Sequence, residues 1–408
     1  MKKKKQKWMS FRHKIALEIV RPFFAVTSRL IYHIKVDKFK EEGKRNWLIL
    51  SNHQTDYDQF FVGLAFRQQI YYIATEDLFS NGFLSKVIKW LVNPIPFMKA
   101  STDIKAMMSC LRLAREGGTI ALFPEGNRTY SGKTCYIKPS VVSLAKKMGL
   151  PIAVFRIEGG YGIKPRWSSK SRRGYMKAGV RRVIEPEEYN NMSNDELYEL
   201  IKNELYVDEM LDKSEFKSKA LAENIERMLY VCPDCGLSEF MSDKNTFSCK
   251  KCGRTFRYLS DKSIEGIGFE SRFKNASEWY DYQEEYIRSL DMSAFISSEP
   301  IYEDCVNISE VIVYDRKHLI EKNIRLALYT DRIEIGQEKA DADFIMPFTE
   351  IQAMACMGVH KLNIFAGDKI YQIKGSKSFN ALKYCNIYYH GKFTTEEHKD
   401  GEFQFLGL

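Results

Sequence analysis

Residues 46–58 read Asn-Trp-Leu-Ile-Leu-Ser-Asn-His-Gln-Thr-Asp-Tyr-Asp, and the reading of this stretch decides the architecture. Residues 46–51 are a short apolar run of the kind that forms a buried strand, and it ends on His53, with Asp58 five positions further on. A second stretch has the same layout. Thr119-Ile-Ala-Leu-Phe123 is another buried-strand pattern, and it runs straight into Pro124-Glu125-Gly126-Asn127-Arg128-Thr129. Strand patterns at 71–74 and 151–157 complete the set. Helical patterns at about 57–68, 80–91, 102–116 and 138–148 lie between the strands, the last with Pro139 near its start and Gly149 at its end. Alternating strands and helices predict an α/β layer fold, in which ligands bind beyond the carboxyl ends of the strands. Both motifs fall at such ends.

A histidine whose one ring nitrogen is held by an acceptor can use the other to remove a proton near neutral pH. Residues five apart in a continuous helix point about 140° away from each other. His53 and Asp58 can therefore meet only if the chain turns before the helix begins, and Asp56 competes by spacing. A lone His near an Asp is usually structural; the strand-end position and the second motif reverse that weighting.

Asn-His-x-x-x-x-Asp followed by Phe-Pro-Glu-Gly-x-Arg resembles the glycerolipid acyltransferase family, which includes the 1-acylglycerol-3-phosphate acyltransferases. The resemblance covers roughly residues 40–190. It implies that His53 deprotonates an acceptor hydroxyl, that Asp58 orients it, and that Arg128 grips the acceptor phosphate through its planar donor fork. Glu125 is then an organiser of the loop or of an acceptor hydroxyl, and Gly126 permits a tight turn beside the ligand. Asn127 stands where relatives often carry Thr. The family's intermediate motif, Gly-x-x-Phe-x-x-Arg, is matched only in part: Phe97 fits, and Lys99 stands two positions beyond it in place of an Arg at three. Pro151 corresponds to a fourth motif and is expected to shape the substrate entrance. Acyl coenzyme A or acyl-acyl carrier protein is the implied donor, a lysophospholipid the implied acceptor, and no metal takes part in the reaction.

Cys232-Pro-Asp-Cys235-Gly and Cys249-Lys-Lys-Cys252-Gly form a C-x2-C-x13-C-x2-C pattern. Four thiolates at this spacing can surround one Zn ion, and a Gly after each pair suits zinc-ribbon knuckles. An all-cysteine site is closed, so the zinc is expected to be structural. The remaining five cysteines, scattered singly, read as buried thiols of a reducing compartment. Lys250, Lys251, Arg254 and Arg257 keep open a nucleic-acid-binding alternative, disfavoured because it leaves the paired motifs without a purpose.

Residues 1–50 contain 14 Lys/Arg against 4 Asp/Glu. Ile15, Ile19, Phe23, Val26, Leu30 and Ile34 recur at helical spacing, with Pro22 expected to kink or divide the helix. A basic amphipathic helix of this kind either lies on an anionic membrane or packs on the catalytic domain. Residues 83–92 offer a second contact, with a core helix the better reading. A second basic run, Lys164 to Arg182, is expected either to hold an acidic donor or to face anionic membrane.

From about 190 to 230 a helical, polar stretch is expected. From about 302 strand patterns at 311–314, 325–329, 332–335, 362–365 and 369–373, closed by a helix at 379–389, resemble a pleckstrin-homology-like or GRAM-type domain. The expected organisation is thus 1–35 membrane-surface helices, 36–228 an α/β acyltransferase domain, 229–258 the four-cysteine zinc ribbon, 259–301 a connector and 302–408 a β-rich domain closed by a helix. No secretory signal is apparent in the sequence, which leads to the expectation of an intracellular protein, peripheral on the cytoplasmic face of a membrane.

Overall fold

A computed structural model of the chain describes residues 8–40, 43–98, 104–295, 299–337 and 342–395. The first half is built on strands β1 (Ile34–Val36), β2 (Leu48–Ser51), β3 (Ile70–Thr75), β4 (Ile95–Phe97), β5 (Thr119–Leu122), β6 (Ile152–Glu158) and β7 (Met176–Ile184). They form one sheet in the order β1-β7-β6-β2-β5-β3-β4. The central strands run parallel, β7 turns back against β6, and β1 runs parallel to β7 at the edge. Helices α1 (Phe11–Tyr32), α2 (Asp58–Ala65), α3 (Phe83–Val92), α4 (Ile104–Arg115), α5 (Ser140–Met148), α6 (Gly160–Ile163), α7 (Pro186–Asn190) and α8 (Asn194–Leu205) are interspersed. The period of two along β2 feeds both faces of the sheet. Leu48 and Leu50 enter the core with α4, α5 and α8, whereas Trp47 and Ile49 enter the core with α2.

The second half begins with short strands β8 (Val231–Cys232) and β9 (Gly236–Leu237). An antiparallel sheet follows, of β10 (Phe240–Asp243), β11 (Thr246–Cys249), β12 (Thr255–Tyr258) and β13 (Ile264–Gly266), and then α9 (Ala276–Arg288). Next come β14 (Tyr302–Val311), β15 (Lys317–Leu328), β16 (Arg332–Gly336), β17 (Ala342–Pro347), β18 (Ile351–Met357), β19 (Lys361–Ala366) and β20 (Lys369–Lys374), closed by α10 (Ala381–Thr395). These seven strands form a curled antiparallel sheet ordered β17-β16-β15-β14-β20-β19-β18. One hydrophobic core runs through the cysteine module, α9, this sheet and α10. Trp279 on α9 is central to it: its ring packs on Phe240, Phe247, Phe256 and Phe273, and its indole N–H donates to the Val231 carbonyl at 2.8 Å.

Several local expectations are corrected. Residues 190–230 hold only α8 and a short 3-10 turn at Ile225–Arg227, because residues 206–224 follow irregular paths. The expected strand at 311–314 is the end of β14 and a turn in which Tyr314 has φ 71°. Pro22 sits inside α1 without dividing it. Tertiary contacts on both sides of the proline hold the helix: before it His13 bonds the Tyr71 hydroxyl and Arg21 donates to the carbonyls of Gly63, Phe66 and Arg67 around the end of α2, and after it Phe24 packs on Phe60 and Phe61 with ring centroids 4.7 and 5.6 Å away. Among the other cysteines, Cys305 is exposed rather than buried.

Trp279→Ala is expected to lower stability by about 3–5 kcal/mol, the usual cost of emptying an aromatic core position. Chemical denaturation followed by fluorescence and circular dichroism would measure it; a change below about 1 kcal/mol would mean the module does not depend on this residue.

Candidate functional site

β2 and β5 are parallel neighbours, with Leu50 opposite Leu122, so the chain segments leaving their carboxyl ends emerge side by side. The first segment, 53–57, turns before α2 starts at Asp58. That turn closes the distance which a continuous helix would have kept open: His53 Nδ1 lies 2.8 Å from Asp58 Oδ2. Asp58 is fully buried and is further held by the backbone N–H groups of Gln54 and Thr55 and by the Thr55 hydroxyl at 2.6 Å. A carboxylate fixed by this many donors cannot swing away, so it also fixes the ring. The neutral tautomer consistent with this contact carries its proton on Nδ1 and leaves the Nε2 lone pair available. Burial lowers the His53 pKa, opposed by the hydrogen bond and charge of Asp58, so the ring is neutral at physiological pH. The competitor Asp56 makes no contact with the ring among the described residues.

The second segment supports the first. Phe123 stacks on His53 with ring centroids 4.3 Å apart. Glu125 is buried, and both its oxygens are occupied: one accepts the His53 backbone N–H and the other the Cys135 N–H, each at 2.6 Å. Of its two expected roles, then, the observed one is holding the loop. Burial pushes its carboxyl up to about 8, against the pull of those two N–H groups. Gly126 has φ 71° and its N–H closes a turn onto the Phe123 carbonyl at 3.0 Å, a conformation that L side chains rarely adopt. Thr129 N–H returns to the His53 carbonyl at 3.2 Å.

Arg128 follows, with Nη1 buried and without a hydrogen-bond partner. Burial lowers its pKa, but a guanidinium starts so high that it stays charged. The Arg128 carbonyl is pinned at 2.9 Å by Arg166, whose guanidinium sits 4.0 Å over Tyr130 and also reaches the Cys356 carbonyl of β18. The end of β6 is joined through Asn52, whose side chain bonds both N–H and C=O of Ile157 at 2.8 Å. Gln54 and the Gly159 N–H both donate to Glu209, a buried carboxyl pushed up to about 7 by desolvation.

The structure therefore brings His53, Asp58, Glu125, Gly126 and Arg128 together. Pro151 is elsewhere: it lies at the start of β6, where its carbonyl accepts the Leu48 N–H at 3.0 Å, at the opposite end of the strands from His53. Lys99 lies outside the described residues. The basic run from Lys164 to Arg182 is divided: Lys170, Arg173, Lys177 and Arg181 are exposed, but its first part is not a surface patch. Lys164, Arg166 and Arg172 are buried, and Arg172 is stacked between Trp167 and Tyr258. Asn52 and Thr55 stand inside the first motif and could have been read as supports. Glu209 and Arg166 carry no spacing signal and are recognisable only through the fold.

The sulfurs of Cys232, Cys235, Cys249 and Cys252 lie within 4.8 Å of one another. Tetrahedral thiolates about 2.3 Å from a zinc would be about 3.8 Å apart, and Cys232 and Cys252 are separated by 3.8 Å. The donor set fits a metal ion. Gly236 and Gly253 take the left-handed conformation after each pair, at φ 68° and 72°. At Gly236 a Cβ would also collide with the Tyr286 hydroxyl of α9.

A parallel sheet that delivers a carboxylate-held histidine and a buried guanidinium from adjacent strand ends can deprotonate a hydroxyl beside an anion. Residues 29–158 match the Acyltransferase family. A 1-acyl-sn-glycerol-3-phosphate acyltransferase of Brassica napus chloroplasts (BAT2) is 26% identical over 140 residues, which are 33% of this chain and 38% of that protein. The Arabidopsis thaliana chloroplast enzyme LPAT1 is 24% identical over 140 residues, 33% of this chain and 37% of its own. The crystal structure of the 1-acyl-sn-glycerophosphate acyltransferase PlsC from Thermotoga maritima aligns at 23% identity and a TM-score of 0.40, covering 48% of this chain and 80% of that one. Homology to the glycerolipid acyltransferases is thus carried by the α/β portion, and the chain spans well under half the length of the curated relatives it matches.

Glu125 gives a pH-dependent expectation. Its folded value of about 8 exceeds the ordinary 4.5, so between those values the folded state binds the extra proton. Its contribution to stability is complete below pH 4.5 and is lost as pH rises through 8. The melting temperature of Glu125→Gln should therefore improve relative to the wild type between pH 5 and pH 9 by scanning fluorimetry; parallel curves would show that this carboxyl does not titrate there.

Proposed function

We propose that the protein transfers an acyl group from acyl coenzyme A or acyl-acyl carrier protein to the free hydroxyl of a lysophospholipid, with 1-acylglycerol 3-phosphate the favoured acceptor and phosphatidate the product. The contact between His53 Nδ1 and Asp58 carries this reading, because it leaves a neutral, oriented base. His53 Nε2 takes the acceptor's hydroxyl proton as that oxygen attacks the thioester carbonyl. The carbon–sulfur bond breaks, and the proton passes from the imidazolium to the departing thiolate, giving an ester and a free thiol. Asp58 stabilises the imidazolium in between. Arg128 offers its unpartnered Nη1 to the acceptor phosphate, and Glu125 and Gly126 keep the loop in place.

α1 supports a membrane-surface setting. Phe11, Ile15, Ile19, Phe23, Val26 and Leu30 are 46–75% exposed, whereas His13 and the Arg21 side chain face the protein. α1 packs on its own domain through His13, Arg21 and Phe24, and this leaves the predicted apolar stripe facing outward. Ile34 leaves the stripe because the helix ends at His33 in the left-handed conformation. Phe83, Leu84 and Trp90 on α3 are also exposed, against the expectation of a core helix. Burying such side chains in the headgroup region is favourable by about 1–2 kcal/mol each. No helix among the described residues is long and apolar enough to cross a membrane. The reading is of a peripheral protein on the cytoplasmic face.

The four cysteines are assigned a structural zinc ion, held in a ribbon-like module. In the nucleic-acid alternative the module's cations would be free for phosphate, but Lys250 pairs with Glu239 and Arg254 with Asp234, each at 3.0 Å. The antiparallel strand order and closing helix of the last hundred residues support a pleckstrin-homology-like domain, and the division at about 36–228, 229–258, 259–301 and 302–408 is retained as our proposed organisation.

His53→Ala is expected to reduce turnover about 10²–10⁴-fold with zinc content and folding unchanged. Mass-spectrometric detection of phosphatidate from 1-acylglycerol 3-phosphate with each thioester donor would measure it. Undiminished turnover would remove His53 from the mechanism, and product only from another lipid acceptor would replace the substrate while keeping the chemistry.

Cys249→Ser should lower bound zinc and melting temperature together, leaving turnover per folded molecule near wild type. Zinc measured by atomic emission, beside activity, decides this; unchanged metal content would exclude the cysteine as a ligand.

A further inference from the structure

We propose that the turn between β14 and β15 is a third lipid-contacting element, continuous with α1 and α3, so that the C-terminal sheet docks on an anionic bilayer beside the α/β portion. This rests on the membrane-surface reading of α1 and extends it to a part of the chain outside the matched segment 29–158.

The turn is fastened to α3 rather than free. The Gly82 N–H, at the start of α3, donates to the Asp315 carbonyl at 2.9 Å. Tyr314 meets Phe79 with ring centroids 5.8 Å apart, and Lys89 of α3 lies 5.4 Å over the Tyr314 ring. Behind them Asp77 receives Lys317 at 2.6 Å and Gln372 at 2.8 Å, with Lys361 at 3.6 Å. Lys317, Lys361 and their charge hold the Asp77 carboxyl below its ordinary range despite burial, so the cluster stays ionic. α3 and the turn are therefore packed as one unit.

The exposed chemistry of the turn matches that of the helices. Ile312, Tyr314, Leu319 and Ile320 are 41%, 57%, 52% and 38% exposed. Leu319 and Ile320 are consecutive, and one of two neighbours on a regular strand would face the core. A bulge explains the pair: Ser309 pairs with Leu319 and Ile308 with Glu321, leaving Ile320 as the extra residue. This stretch of β15 also lies beyond the 325–328 pairing with β16. An apolar bulge on a partly unpaired strand is a liability in water, and lipid would relieve it.

Charge selects the occupant. In residues 11–32, 83–92 and 312–322 seven Lys/Arg and three Asp/Glu are exposed, Arg21 and Lys317 being turned into the protein. Two copies of such a face would oppose like charges, whereas anionic headgroups complement them while the apolar side chains sink below.

The test uses the full chain and vesicles of phosphatidylglycerol and phosphatidylcholine at equal proportions. Leu319→Glu with Ile320→Glu, both exposed and remote from His53, should weaken co-sedimentation about tenfold or more, and Ile19→Glu with Phe23→Glu should weaken it as well. Hydrogen–deuterium exchange in residues 312–323 of the wild type should slow when vesicles are added. Normal binding by the β15 variant, with no slowing in 312–323, overturns the proposal while the α1 variant still reports the membrane-surface reading. If neither variant alters binding, that reading fails too. Sedimentation velocity without lipid provides the remaining arm: a wild-type dimer dispersed by the β15 substitutions would assign the surface to a second copy and overturn the proposal.

Discussion

The parallel pairing of β2 with β5 is the constraint on which the chemistry depends. Leu50 opposite Leu122 sets the two strand ends level, and everything of chemical interest lies within a few residues beyond them. A slip of one residue would invert the faces of β2, sending Leu48 and Leu50 to the wrong core and displacing His53 from Glu125. The register is protected by burial on both sides of the sheet, since Trp47, Leu48, Ile49 and Leu50 are all inaccessible to solvent. Glu125 then converts that register into a fixed loop by bridging the backbone at His53 and Cys135. The imidazole's orientation is thus secured twice: through the ring by Asp58 and through the main chain by Glu125.

Asp58 and Glu209 are both buried, yet they are used differently. Asp58 collects donors from one short turn, so its environment is local and could be anticipated from the Asn-His-x-x-x-x-Asp spacing. Glu209 comes from a segment 155 positions away to meet Gln54 and Gly159, and nothing in the residues around it announces that meeting. The same contrast separates Arg128, marked by its motif, from Arg166, which holds the Arg128 carbonyl from a loop that reads as a surface patch. Charge in a sequence does not distinguish a solvated cation from one stacked on an aromatic ring and bonded to carbonyls. Arg166 and Arg172 belong to the second kind because Tyr130, Trp167 and Tyr258 are brought against them by the fold.

The α/β order, the meeting of the two motifs and the four-cysteine cluster were legible because each rests on local pattern: apolar runs, strand-end turns and fixed ligand spacing. The N-terminal helix was legible in its period but not in its direction. An apolar stripe at i, i+4 spacing is the same signal whether it faces a core or a membrane. Here the polar side decides, since Arg21 is drawn inward by three carbonyls at the end of α2 and His13 by Tyr71, rotating Phe23 and Ile19 into the open. The C-terminal strands were harder. β14 and β17 carry mixed, partly exposed sequences, β14 is interrupted by bulges, and its second neighbour is β20 at the far end of the sheet's sequence, so register rather than composition determines them.

Of the contacts that link the two halves of the chain, two sets adjoin the face or loop that matters. Arg166 joins the Arg128 loop to β18, and Asp77 joins the segment before α3 to β15, β19 and β20. The cysteine module shares its core with that same sheet through Trp279, and Lys383 of α10, buried between Glu239 and Asp304, ties it further. A metal ion held by the four thiolates would therefore stiffen more than its own knuckles. Its stabilising effect would pass through a continuous packed core into the sheet that supports the guanidinium loop on one side and the apolar turn on the other. A closed four-thiolate site would then act on stability alone, holding the Arg128 loop and the exposed apolar turn in one packed frame while taking no part in the chemistry at His53.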